Sequence, residues 1–276
     1  MPHRPHPLFS GARLLLTVAT AALMACASTA ALPPGWPGTL QTLLPADVLL
    51  LGEQHDAPEH QAMQRAAVQW LAGRGVLASV VLEMAPAGGS TAQLPPHASE
   101  DQVRTALQWN ERLWPWATYA GAAMAAVRAG IPVLGGNLPR DAMRAAMANS
   151  ALDAALPASA YAAQLQAVRE GHCDLLPESQ LPGMVRIQIA RDQSMARTVD
   201  AAPRGPGQTA LLIAGSGHVL RSRGVPVYLP KNLSSKVVLA LTGQALAAIE
   251  TEADLAPVTA PGPAQDSCAP LRAPRP

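Results

Sequence analysis

The chain has 276 residues, with 20 Lys and Arg against 19 Asp and Glu for a formal net charge of +1, and only three cysteines. No cluster of Lys and Arg stands ready to meet phosphates, which argues against a nucleic-acid partner, and three cysteines at these spacings exclude a cysteine-type zinc site. The length is enough for one α/β domain with a good core, or for a domain with a small subdomain.

At the amino end, residues 1–13 carry Arg4 and Arg13 and no acid, and Leu14 to Met24 is an apolar stretch. That stretch has signal-peptide length and is too short for a spanning helix of about 20 residues. Leu23-Met24-Ala25-Cys26 has the form cut by the lipoprotein signal peptidase. Residues 1–25 are therefore expected to be a lipoprotein signal peptide, with Cys26 the lipidated (palmitate-bearing) first residue of the mature chain. The alternative is a conventional signal peptide cut near Ala27 or Ala30. Ala27, not Asp, at the second mature position points to an outer-membrane lipoprotein of the cell envelope. Residues 26–45 include Pro33-Pro34-Gly35-Trp36-Pro37-Gly38, which reads as a tether because proline and glycine interrupt helix and strand.

The folded body is expected over 46–255. Apolar runs predict strands at 47–51, 79–84, 131–135, 209–214, 225–229 and 236–241. Between them lie helices: Asp56-Ala57-Pro58-Glu59 opens the first, with proline in its first turn, and others are expected over Asp141 to Met147 and Leu181 to Thr198. Alternating strands and helices give an α/β fold, a parallel sheet flanked by helices. The segment 101–199 holds more helix than crossovers require, which suggests a smaller helical subdomain over the strand carboxyl ends. Residues 256–276, rich in proline and alanine, read as a disordered tail. Cys173 and Cys268 could pair in an oxidising compartment, but the position of Cys268 in that tail argues against it.

Several strands end in chemistry. Val48-Leu49-Leu50-Leu51 stops at Gly52-Glu53-Gln54-His55, Leu211-Leu212-Ile213-Ala214 stops at Gly215-Ser216-Gly217-His218, and another run ends at Glu83. Open α/β sheets place ligands at this carboxyl edge. Glu53, His55, Glu83 and His218 are the elements of a divalent metal site or of acid–base catalysis; their structural alternative is helix capping and pairing with an arginine. Arg140, after Gly135-Gly136-Asn137, is suited to a ligand carboxylate. Trp109, Trp114 and Trp116 are read as a packing centre more than as a stacking surface for a ligand, and Met184 and Met195 as core. Tyr228 lies in a strand-like run and is expected in the core.

The strings Leu51-Gly52-Glu53-Gln54-His55-Asp56, Leu82-Glu83-Met84, Trp114-Pro115-Trp116-Ala117-Thr118-Tyr119, Gly136-Asn137-Leu138-Pro139-Arg140, His172-Cys173, Gln188-Ile189-Ala190-Arg191-Asp192-Gln193-Ser194-Met195-Ala196 and Ala214-Gly215-Ser216-Gly217-His218 occur in order over about residues 46 to 230. Together they resemble the ChaN-type haem-binding family of bacterial lipoproteins. The resemblance implies a membrane-anchored protein of haem or iron uptake that binds haem at the interface of a homodimer, with a tyrosine oxygen on ferric iron and a histidine at the propionates. Tyr119 is then the first candidate for the iron and Tyr161 the second, with His172 and Arg140 as further haem contacts. The same strand-end pattern resembles a wider superfamily that includes erythromycin esterases and Tiki metalloproteases. That second resemblance implies an envelope hydrolase, with Glu53, His55, Glu83 and His218 as the catalytic set around a divalent metal.

Overall fold

The computed structural model describes residues 1, 31–244, 249, 251–262, 266 and 268–272. The expected signal peptide and Cys26 lie outside the described residues. Five strands form one parallel sheet: β1 (Val48–Glu53), β2 (Leu77–Pro86), β3 (Val133–Asn137), β4 (Thr209–Gly215) and β5 (Ser235–Leu239), in the order β3-β2-β4-β1-β5. β1 and β4 are buried along their whole length, as strands covered on both faces must be, and their unbroken aliphatic runs follow from that. In register, Glu53 lies opposite Gly215 and Leu82 opposite Ile213. The strand ends that carry Glu53, Glu83 and Gly215 are thus side by side.

One face of the sheet is covered by α1 (Pro58–Gly73) and α3 (Trp116–Arg128), with α2 (Glu100–Ala106) beside them. Pro58 occupies the first turn of α1, where its missing N–H costs nothing. Ser99 caps α2 reciprocally with Gln102, a full capping box. The other face is covered by the second half of α6 (Leu181–Ala201), through Met195, Ala196 and Val199.

The surplus helix seen in the sequence divides between these layers. α3 is an ordinary crossover between β2 and β3. A separate small core, with Leu156, Ala160, Val168, Leu181, Val185 and Ile189, unites α5 (Ala158–Gly171) with the first half of α6. The short α4 (Met143–Ala148) leads into this subdomain from the carboxyl end of β3.

Four expectations are corrected. Residues 225–229 form a 3-10 turn, Val225–Tyr228, instead of a strand; Pro226 removes a ladder donor there. The expected tether is folded in its second half: Trp36, Leu40 and Leu43 are buried, and the Trp36 indole N–H donates to the Met63 carbonyl at 3.0 Å. The expected disordered tail pairs as β7 (Val258–Thr259) with β6 (Leu241–Thr242) and ends in a short helix, α8 (Ala269–Arg272). Beside α8, Cys268 is disulfide-bonded to Cys173, so the argument from tail composition against this pairing fails. Among the described residues no helix is long and apolar enough to cross a membrane.

Candidate functional site

The polar cluster sits where the strands end. Glu53, the last residue of β1, is 2 % exposed, and its carboxylate is fully engaged. Oε1 accepts from His55 Nδ1 at 2.8 Å and from the Tyr119 hydroxyl at 2.8 Å. Oε2 accepts from the side-chain amides of Gln61, at 2.8 Å, and Gln64. Glutamines on the first turns of α1 thus face β1, as the strand-to-helix turn requires. Orientation of an imidazole by a carboxylate at Nδ1 fixes its tautomer and leaves Nε2 as the working nitrogen. The His55 ring is 39 % exposed, with Nε2 4.0 Å from Glu83 Oε2, and it packs against Trp114 at 4.8 Å between ring centroids. Burial disfavours a charged His55, but the Glu53 hydrogen bond and the charges of Glu83 and Glu53 outweigh it and raise the pKa. A side chain at residue 215 would collide with this ring, since an added Cβ falls 2.7 Å from His55 Nε2; glycine is needed there for close approach.

Glu83 organises the second half of the cluster. It is 1 % exposed. It accepts from Arg191 at 2.6 Å and from the Gly215 backbone N–H at 2.7 Å, and lies 3.4 Å from His218 Nε2. On its other nitrogen His218 meets Asp192 at 2.5 Å. Arg191 also donates to Asn137 and Gln188. Burial works against the Glu83 carboxylate, yet His218, Arg191 and His55 together hold its pKa far below the usual range. Burial likewise opposes a charged His218, but Glu83 and Asp192 raise its pKa to about 9. Asp192 itself is pushed up, burial prevailing over its partner.

Protonated His218 is therefore a strut between two buried carboxylates. Its contribution to stability is present in full below the free-imidazole value of 6.5 and is lost as pH rises through about 9. Urea midpoints are expected to fall across that window in the native chain. They are expected to be flatter there in His218→Gln; an unchanged slope in the variant would show that another group titrates.

Beside this cluster opens a cleft of about 420 Å³, bounded by Met84 and Asn137 at strand ends, Leu113 and Trp114 before α3, and Arg140 and Met143 at the start of the subdomain. Trp114 is shared: it lines the cleft and covers His55. Leu113 is 52 % exposed.

The structure brings Glu53, His55, Glu83 and His218 together, and sets Arg140 at the adjoining cleft. Of the expected iron ligands, Tyr119 lies beneath this cluster, its hydroxyl 3.2 Å from His55 Nδ1, whereas Tyr161 and His172 are on α5, outside the cleft lining. Tyr119 is in the core at 2 % exposed, where burial and Glu53 drive its pKa far above the usual phenol range. Its phenol is a structural donor in this arrangement, and Trp109 and Trp114 pack around its ring. Tyr161 is half-buried on α5, its hydroxyl donating to Asp153 at 3.3 Å. Tyr228 is half-buried, with its hydroxyl atom enclosed and unpartnered among the described residues. His172 caps the end of α5, Nδ1 against the Val168 carbonyl at 2.7 Å, eleven residues after Tyr161 and so on roughly the same helix face.

Arg191, Asp192, Gln61 and Gln64 are partners that residue chemistry alone did not single out. One signal for Asp192 was present: it interrupts the apolar stripe Val185, Met195, Val199 of α6, and a charge in such a stripe needs a buried partner. Among the described residues, no group of three or more His, Cys, Asp or Glu is arranged to hold a metal ion.

A parallel sheet with an open cleft and a buried polar cluster at its carboxyl edge is the α/β arrangement in which open sheets place small ligands. The model of the family described as haem-binding uptake, Tiki superfamily, ChaN, matches residues 39–229, and the chain belongs to that family. The fold is similar to that of ChaN of Campylobacter jejuni, a structure of cofacial haem binding, at a TM-score of 0.63 and 23 % identity over 80 % of this chain and 90 % of that one. Weaker similarity extends to the type III effector HopBA1, with a TM-score of 0.44, 14 % identity, and 78 % and 87 % of the two chains covered. A bacterial protein toxin matches with a TM-score of 0.40, 12 % identity, and 73 % and 36 % covered. No curated protein matches.

Proposed function

We propose that this chain is a membrane-anchored lipoprotein of the cell envelope that binds haem for iron uptake, anchored through Cys26 to the outer membrane and forming a homodimer around its haem. The observation that carries this reading is the cleft at the strand ends, in a chain of a haem-binding family. A porphyrin needs apolar walls for its ring and cations for its propionates. Met84, Leu113, Trp114 and Met143 supply the walls, and Arg140 supplies the cation. Leu113, exposed in one chain, would be covered when two chains close over stacked haems.

Ferric iron favours a phenolate ligand. Releasing Tyr119 for that role would break its bond to Glu53 and strand a buried carboxylate, so the ligand is Tyr161 if the porphyrin extends beyond the cleft lining onto α5. Its hydroxyl is half-buried and has one long bond to displace, and Arg186 beside it partly offsets the raising effect of burial and Asp153. His172, eleven residues further along at the end of α5, is the candidate histidine for a propionate.

Haemin titration of the chain from Ala27, followed by absorption and size exclusion, tests this. Saturation at one haem per chain with a shift to dimer is expected. Tyr161→Phe is expected to lose the phenolate-to-iron charge-transfer band, and Tyr119→Phe to keep it. Arg140→Ala is expected to weaken binding by roughly threefold to tenfold, as loss of one partly exposed charged hydrogen bond does. A flat titration would remove the haem reading.

A second reading, hydrolysis at the envelope, is favoured by one feature: His55 is held by Glu53 and, among the described residues, its Nε2 makes no hydrogen bond, as a general base requires. Against it, the Glu83 oxygens are already engaged by Arg191, Gly215 and His218, so Glu83 has little capacity left for substrate or metal. Ester or peptide cleavage lost in His55→Ala would establish it.

A further inference from the structure

One amide joins the strand-end cluster to the cleft. Asn137 is the last residue of β3, and it lines the cleft together with Arg140, three positions on. Its surroundings depend on the glycine before it. A Cβ on Gly136 would stand 2.8 Å from Val81 Cγ1 and 3.2 Å from Met195 Cγ, so the missing side chain lets α6 lie close on β3. Arg191, one turn before Met195 on the same face of α6, is thereby brought to the strand end. Its guanidinium is held at every nitrogen: Nη2 donates to Glu83 at 2.6 Å, Nη1 to Gln188 at 3.2 Å, and Nε to the Asn137 side-chain oxygen at 2.9 Å. The Ala87 N–H donates to the Asn137 backbone carbonyl at 2.8 Å, which fixes the main chain as well.

Arginine has donors and no acceptor, so the atom facing Arg191 is the amide oxygen and the Asn137 NH2 is turned away from it. Among the described residues that NH2 has no partner, and it is open to solvent. The Arg140 guanidinium likewise has no ion pair there. Asp141, the acid in the same wall, turns Oδ1 back to the Ala142 N–H at 2.9 Å. Arg140 and Asp141 cancel in formal charge, so charge alone does not select an anion here. A donor with a fixed direction does. We propose that Asn137 donates to a carboxylate of the ligand in the cleft, beside Arg140, and that the Glu83–Arg191 pair is what aims it. In haem that carboxylate is a propionate, so the inference rests on the haem reading and deepens it. Arg191 acts through Asn137 and is a positioning residue. The buried Glu83 then has a task in a binding protein that calls for neither a metal nor proton transfer.

Haemin and its dimethyl ester offer the same ring and the same iron, and only haemin offers carboxylates. The full chain is titrated with each and followed by absorption. Haemin is expected to bind about tenfold more tightly than the diester, as one charged hydrogen bond in a partly exposed site allows. Asn137→Asp keeps an oxygen toward Arg191 and sets a second one against the ligand. It is expected to abolish the preference while the diester binds as it does to the native chain. Arg191→Lys keeps the charge beside Glu83 but lacks the fork that holds two partners at once. It is expected to weaken haemin alone by about threefold, and to add nothing in the Asn137→Asp background, as residues that act through one contact do. Asp141→Asn, which keeps the oxygen facing Ala142, is expected to tighten haemin alone. A preference that survives Asn137→Asp, or a loss as large for the diester as for haemin in that variant, would overturn the proposal. So would equal affinity of the native chain for the two porphyrins, a result that leaves the haem reading standing. Failure of haemin to bind at all would remove the haem reading and this proposal together.

Discussion

Glu83→Gln is expected to lower folding stability by about 3–5 kcal/mol, the cost of removing one partner from a buried ion pair. The substitution preserves shape and leaves Arg191, 2.6 Å away, and the His218 imidazolium, 3.4 Å away, without their shared anion. It also turns an acceptor of the Gly215 N–H into an amide that can satisfy only part of the set. Burial makes each loss expensive, because Glu83 is 1 % exposed and water cannot replace it. Equilibrium urea unfolding measures the loss directly. Glu83→Gln with Arg191→Met is expected to be less destabilised than the sum of the single variants, since removing both charges of a pair costs less than removing one. A loss below about 1 kcal/mol in Glu83→Gln would mean that water reaches the strand ends and that the cluster is not a closed network.

The second large effect concerns the Cys173–Cys268 bond, which joins residues 95 positions apart. Cross-links that close long loops restrict the unfolded chain most, and Cys268→Ser is expected to cost about 2–4 kcal/mol. The enclosed segment contains the subdomain helices from α6 onward, β4 and β5, so the loss is expected to appear as a lower midpoint for the whole domain. Thiol reagents are expected to label neither cysteine until a reductant is added, and reduction alone is expected to reproduce the Cys268→Ser midpoint. Labelling without reductant, or an unchanged midpoint, would show that the tail is not fastened in solution.

What could be read in the sequence was local. Apolar runs stopped by Gly52-Glu53, Glu83, Gly135-Gly136-Asn137 and Gly215 gave the strands and their shared edge, because fully buried parallel strands have little freedom in composition. Partnerships were not legible. Tyr119 and Glu53 are 66 positions apart and Arg191 and Glu83 are 108 apart, and nothing in either local pattern names the other residue. Tyr119 illustrates the consequence: next to a tryptophan cluster it reads as the first candidate for an iron ligand, and its hydrogen bond to the Glu53 carboxylate is invisible in that local pattern. Composition misled at both ends of the body, where Trp36 and Cys268 act as single anchors within proline-rich stretches. Likewise Val225-Pro226-Val227-Tyr228 has the residues of a strand, but its proline favours the 3-10 turn it forms.

The strand order has a consequence for how this chain must be made. β4 lies between β2 and β1, yet it follows β2 by more than a hundred residues, so the two earlier strands have no common neighbour until Thr209–Gly215 arrives. Such distant pairings form late, because chain entropy must be lost before the contacts that compensate it exist. The sheet therefore stays open while most of the domain is synthesised, with its central aliphatic edges unpaired. A chain built in this way keeps its central strands without their shared neighbour until nearly its last quarter has been made, and only then can it close its core.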